Sequence, residues 1–233
     1  MTPVTNLAAE PQMARTAARP RRPLLVLARR GVLLVAAFFL LPNLAIVATH
    51  LAAQRSAAAS PFDLPIRNFA EVDDRLWRGG APDADGYRAL AAAGVQTVVD
   101  LRAEDDLVVD HELLRSLGIT RVPLPMRDGQ APSRPLVERF LDIVQDSPGR
   151  VFVHCGAGVG RTGTMAAAYL VKSGQADPVE ALRRNLSVGP PSLEQLAFSA
   201  GLDGGVIERP SSLLVALSRT LDAPRRIWVS LRG

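Results

Sequence analysis

"VFVHCGAGVGRTG", residues 151–163, decides how the chain is to be read. Val151, Phe152, Val153 and His154 continue Arg150 into a near-continuous apolar run, the pattern of a parallel strand covered on both faces. Glycines follow at 156, 158 and 160, and a helix is expected from Arg161. A strand that ends in a glycine turn and then enters a helix lets successive main-chain N–H groups face one centre. The helix N-terminus adds unpaired N–H groups and the positive end of its dipole. Gly156, Ala157, Gly158, Val159, Gly160 and Arg161 are therefore the expected phosphate-binding residues, with Arg161 offering a planar fork that bonds two oxygens at once. Such a cup favours a thiolate over a thiol, and a thiolate beneath a phosphate is a nucleophile for phosphorus. Cys155, the only cysteine in the sequence, sits at that point and has no partner for an intrachain disulfide. The alternative, an inert core thiol, leaves the glycines and Arg161 without a packing explanation.

Working outward, residues 63–204 alternate strand and helix patterns. "RLWRGG", 75–80, reads as a short strand ending in a glycine turn, and "DADGYRALAAAG", 83–94, as a helix with a glycine stop. "VQTVVDLR", 95–102, is a β-branched strand, "EDDLVVDHELLRSLG", 104–118, an amphipathic helix, and "ITRVPL", 119–124, another strand. "SRPLVERFLDIVQDSPG", 133–149, predicts a third helix, and "DPVEALRRN", 177–185, opens with an Asp cap, Pro at the first helical position and Glu at the third. The order implies an α/β fold with a central, mostly parallel sheet flanked by helices.

"HCGAGVGRTG" resembles the signature loop of the cysteine-dependent protein tyrosine phosphatases: His-Cys, five residues, Arg, then Ser or Thr. His154, Cys155, Gly158, Arg161, Thr162 and Gly163 all match. The order and length of the domain are similar to the compact dual-specificity-like branch, over about residues 66–200. The resemblance implies a tyrosine-phosphatase-like fold, with Cys155 as nucleophile and Arg161 as phosphate and transition-state clamp. It gives Thr162 a hydrogen bond to the Cys155 sulfur, and His154 a place behind the loop, orienting it and lowering the thiol pKa. Asp128 in "PLPMRDGQAPS", 123–133, lies 27 residues before Cys155 and stands in a "D-G-x-x-P-S" setting similar to that of the family's general acid. An ordinary turn aspartate before Gly129 is the alternative. Gln195 either positions the hydrolytic water, as in some relatives, or closes a Ser-x-x-Gln capping box with Ser192. Asp100 and Arg102, at a strand end, either face the site or, as the simpler account, form a salt bridge supporting the loop.

The net charge of +4 belongs to the N-terminus. Residues 1–55 hold seven arginines against Glu10 alone, which leaves residues 56–233 slightly acidic. The folded part therefore carries no nucleic-acid signature. Residues 1–22 read as a disordered basic segment, 23–50 as a transmembrane anchor or signal segment, 51–62 as a linker, 63–204 as the phosphatase catalytic domain and 205–233 as a C-terminal tail. The charge-free run "GVLLVAAFFLLPNLAIVAT", 31–49, would span about 28 Å as a helix, close to a bilayer core. A signal peptide cleaved near "SAAAS", 56–60, is a rival, although this apolar run is longer than the usual signal core, and an Arg-rich transit peptide is another. Arginine counts on the two sides of the run place the N-terminus in the cytoplasm and the catalytic domain outside it. The tail is expected as a packed helix or as an interfacial segment.

The expected activity is phosphomonoester hydrolysis through a phosphocysteine, with no cofactor and no metal, on phosphotyrosine or dual-specificity protein substrates. A membrane-tethered phosphatase of a lipid-linked phosphate, similar to phosphatidylglycerol phosphate, is the alternative. A non-catalytic phospho-binding module is the third reading, disfavoured because Cys155, Arg161 and Asp128 are all present.

Overall fold

The computed structural model describes residues 22–55, 62–103, 110–203, 207 and 209–230, with two compact units, one up to Leu41 and one from Pro42 onward. The expected disorder of the first residues, the "SAAAS" stretch and the start of the 104–118 helix lie outside the described residues.

The strands are β1 (Ala70–Glu71), β2 (Leu76–Gly80), β3 (Val95–Asp100), β4 (Thr120–Pro123) and β5 (Arg150–Cys155). They form one sheet in the order β1-β2-β5-β3-β4. β1 runs antiparallel to β2, and every other neighbour is parallel. β1 was not foreseen, because two residues carry no alternation.

The alternation of side chains along the inner strands explains the layers. Leu76, Val99, Val151 and Val153 enter one core, with Phe140 and Met165. Their chain neighbours Trp77, Val98 and Phe152 enter the other, with Leu90 and Leu114. Each fully buried side chain of this size contributes about 1.5–3 kcal/mol. α4 (Arg134–Asp146) and α5 (Gly160–Lys172) supply the first core, while α2 (Ala84–Ala92) and α3 (His111–Ser116) supply the second. The sheet is therefore covered on both faces, as the sequence pattern implied.

α6 (Pro178–Val188) starts as read from sequence, with Asp177 accepting from the Glu180 amide at 2.8 Å. α7 (Leu193–Ala200) and α8 (Ser212–Ser230) complete the second unit, and α8 packs through the buried Leu221 and Ser218. The N-terminal helix α1 runs Arg22–Arg55 with Pro42 inside it. It thus includes residues 51–55, which were read as the start of a linker; Leu, Ala, Gln and Arg are good helix formers. Val26–Arg55 is long and apolar enough to cross a membrane, with a mean hydropathy of 2.4 and exposed side chains such as Leu27, Leu34 and Leu41.

Candidate active site

Parallel pairing brings the carboxyl ends of three strands together: Gly80 lies opposite Cys155, and Asp100 opposite His154. Ligands of open α/β sheets bind at such an edge. The loop 156–159 turns over it before α5 begins.

The shape of this loop is set from behind, through its carbonyl groups. Gly156 O accepts from Arg67 Nη2 at 3.0 Å and from the Ala81 amide at 3.1 Å. Ala157 O accepts from Asn68 Nδ2 at 2.9 Å. Gly158 O and Val159 O accept from Arg78 Nη2 at 2.8 and 3.3 Å. In a planar trans peptide the N–H points opposite to the C=O, so carbonyls tied outward turn the following N–H groups inward. The Gly158 amide shows the result by donating to Cys155 Sγ at 3.3 Å. Gly158 has φ +79°, and a Cβ there would lie 2.3 Å from the Gly79 carbonyl carbon and the Gly80 nitrogen. Only glycine fits this approach to β2. Val159 occupies the N-cap of α5 without a capping side chain, so the first turn keeps its amides for an anion.

Sequence reading missed Arg67, Asn68 and Arg78. Arg78 is buried, and its Nη1 also bonds Asn185 Oδ1 at 3.3 Å. Burial pushes its pKa down to about 10, against the opposing pull of Cys155, so the guanidinium stays charged at neutral pH. An arginine in an otherwise apolar strand was the available signal, since a buried charge needs a partner.

Arg161 is buried at the other side of the loop, donating through Nη1 to Met126 O at 3.1 Å and, more weakly, to Leu101 O at 3.5 Å. Its Nε lies 3.4 Å from Asp128 Oδ1, and the Asp128 side chain is 55% exposed. The structure thus brings Cys155, Arg161 and Asp128 to one mouth. His154 is fully buried, with Nδ1 3.4 Å from Cys155 O and Nε2 3.8 Å from Asp100 Oδ1. Burial lowers its pKa to about 4 in spite of Asp100, so it is neutral at pH 7 and acts on the loop by position, not by charge. Asp100 accepts from Arg102 Nε and Nη2 and from Arg121 Nε and Nη2. Burial works against its charge, but these hydrogen bonds, Arg102's foremost, and the His154 ring hold its carboxyl well below the usual carboxylate range. The supporting salt bridge read at Asp100 and Arg102 is present, with Arg121 as an added member.

Thr162 departs from its expected bond, while Gln195 takes the capping box, one of its two readings. Thr162 Oγ1 is buried and makes no hydrogen bond among the described residues, so the bond to the sulfur is not formed in this structure. Gln195 closes the capping box with Ser192, and its Nε2 donates to Gln130 O at 3.2 Å. Both ends of its amide are engaged by main chain, and a Cβ on Gly160 would meet its Oε1 at 2.5 Å.

A thiol over a cup of amides at the end of a parallel strand, clamped by a buried arginine, defines the cysteine-dependent protein tyrosine phosphatase superfamily, in its dual-specificity-like branch. Residues 38–201 match the family described as DSP-PTPase phosphatase fused to NAD+ kinase, and the chain belongs to that family. Among relatives, the probable chloroplastic NAD kinase 2 of Oryza sativa subsp. japonica is 34% identical over 142 residues, which is 56% of this chain and 14% of that protein. Human dual specificity protein phosphatase CDC14C is 33% identical over 102 residues, 41% of this chain and 22% of its own length. The chain therefore spans less than a quarter of either relative. The core catalytic domain of the PP-IP phosphatase SIW14 from S. cerevisiae shares the fold, with a TM-score of 0.53 and 20% identity over 63% of this chain and 91% of that one. So does P. aeruginosa TpbA, with a TM-score of 0.50 and 24% identity over 72% of this chain and 98% of the other.

Proposed function

We propose that this chain hydrolyses phosphomonoesters through a phosphocysteine at Cys155, on phosphotyrosine or dual-specificity protein substrates. The Cys155 sulfur attacks phosphorus, forming an S–P bond as the P–O bond to the leaving group breaks. Asp128 gives the leaving oxygen its proton. Water then attacks phosphorus and passes a proton to Asp128, the S–P bond breaks, and inorganic phosphate departs with the thiolate restored. Amides of residues 156–161 and the Arg161 guanidinium hold the three equatorial oxygens, where charge gathers in the transition state. The reading rests above all on one observation: the loop carbonyls are tied outward while the Gly158 amide donates to Cys155 Sγ at 3.3 Å.

The uncharged Gly156, Ala157, Val159 and Gly160 favour a substrate of modest charge over a densely phosphorylated one. A second reading follows from Val26–Arg55. With that helix as an anchor, the N-terminus in the cytoplasm and the domain outside it, the substrate would be a lipid-linked phosphate at the membrane. Hydrolysis of an aryl phosphate by the full chain in EDTA tests the chemistry. Cys155→Ser is expected to remove activity by roughly 10⁴-fold or more; activity that survives the substitution and requires a divalent metal ends the proposal. Comparing a phosphotyrosine peptide with a phosphatidyl phosphate in mixed micelles separates the two substrates.

A further inference from the structure

The loop that carries Asp128 is gripped, residue by residue, by the first turn of α7. Ser192 Oγ donates to Gly129 O at 2.7 Å. Gln195 Nε2 donates to Gln130 O at 3.2 Å. The Ala131 amide donates to Glu194 Oε1 at 3.0 Å. Three consecutive main-chain units directly after Asp128 are thus each held by a different side chain of one helix end. All three of those side chains belong to buried residues, and Glu194 is only 5% exposed.

A carboxylate is a costly group to bury, and a helix start does not need one facing inward. Glu194 is itself held in turn. Its amide donates to Ser218 Oγ on α8 at 2.9 Å, and Arg219 Nε of the same helix lies 3.9 Å from its Oε2. Asp222, one turn further on, has an oxygen 3.7 Å from the place where a Cβ on Gly129 would be. A line of polar contacts therefore runs from α8 through the start of α7 to the acid loop. On its other side, Gln195 lies against the Gly160 backbone, so one side chain touches both loops of the site.

We infer that Ser192, Glu194 and Gln195 are positioning residues that hold Asp128 over the phosphate cup, and that α8 belongs to this device through Ser218. The acid loop is then preset, with proton delivery depending on a helix that the phosphatase signature does not include. This rests on the reading of Asp128 as general acid.

The dependence of kcat/KM on leaving-group basicity tests it, because an acid matters most when the departing oxygen is basic. The full chain and its variants are assayed on aryl phosphates from nitrophenyl to phenyl. Asp128→Asn should lose roughly 10²- to 10⁴-fold on phenyl phosphate and far less on nitrophenyl phosphate. Glu194→Ala should tilt the series in the same sense by about 10-fold, and Ser218→Ala by about 3-fold. Glu194→Gln, which keeps an acceptor for the Ala131 amide, should return the series toward the parent slope. A merely structural role lowers all substrates alike, and a uniform loss in Glu194→Ala and Ser218→Ala beside a tilted Asp128→Asn overturns the inference alone. An untilted Asp128→Asn removes the general-acid assignment and the inference with it. Should Glu194→Ala not fold, Ser218→Ala alone decides, with an unchanged slope counting against the device.

Discussion

The two loops of the site are held in opposite ways. The phosphate loop is fixed through its carbonyls by side chains from the segment before β1 and from β2, and those partners turn its amides inward. The acid loop is fixed by the start of α7, and its working side chain stays largely in solvent. One loop has to present main chain, so its side chains shrink to glycine where the backbone must close on β2. The other, in the proposed mechanism, has to present a carboxyl group, so its backbone is anchored while the Asp128 side chain stays largely exposed beside Arg161 Nε. In the proposed mechanism, binding and proton transfer are thus built on separate supports, which meet where Gln195 lies against Gly160.

That separation can be broken from either side. The largest effect is expected from Arg161→Ala, which removes a guanidinium that reaches both loops: a loss on the order of 10³- to 10⁵-fold in kcat on any aryl phosphate, measured by steady-state kinetics. A loss confined to substrates with basic leaving groups would move Arg161 from the phosphate cup to the acid loop. Gly158→Ala comes next. Its Cβ would need space already filled by Gly79 and Gly80, at a φ disfavoured for alanine, so a destabilisation of about 3 kcal/mol is expected in urea unfolding. Gly129→Ala, at φ +74° but with only Asp222 within 4 Å among the described residues, should cost less.

The last effect is a pH dependence on the phosphate-loop side. His154 titrates near 4 when folded, against about 6.5 in an unfolded chain. Between those values the unfolded state binds a proton that the native state refuses. Stability is therefore full above about pH 6.5 and declines as pH falls toward 4, by at most about 3 kcal/mol. His154→Asn should flatten that decline, read from urea midpoints at several pH values. An equally steep decline in the variant would assign the loss to other groups.

Much of the phosphate loop was legible because its chemistry is local. Cys155, the glycines, Arg161, β5 and the start of α5 lie within one short stretch, and each residue restricts the next. The capping box at Ser192 and the Asp177 cap were legible for the same reason. The partners that shape the loop were not, since Arg67 and Asn68 stand 89 residues before the carbonyls they hold and Arg78 stands 80 before. Only pairing of β2 with β5 makes them neighbours. Likewise, Ser192–Gln195 announces a helix start but not what that start grips, because the same hydroxyl and amide serve both purposes. Thr162 shows the converse: a match to the signature is not a bond until the hydroxyl has turned toward the sulfur.

α5 begins at the phosphate loop and ends at Lys172, the single lysine in the sequence. The two ends are about 20 Å apart along thirteen residues of helix. Arg67, Arg78 and Arg161, the cations around the loop, are all guanidinium groups that amine reagents leave alone. Coupling through the ε-amine would therefore attach this domain to a bead or dye from its far side, and acylation of lysine has no direct route to silence it.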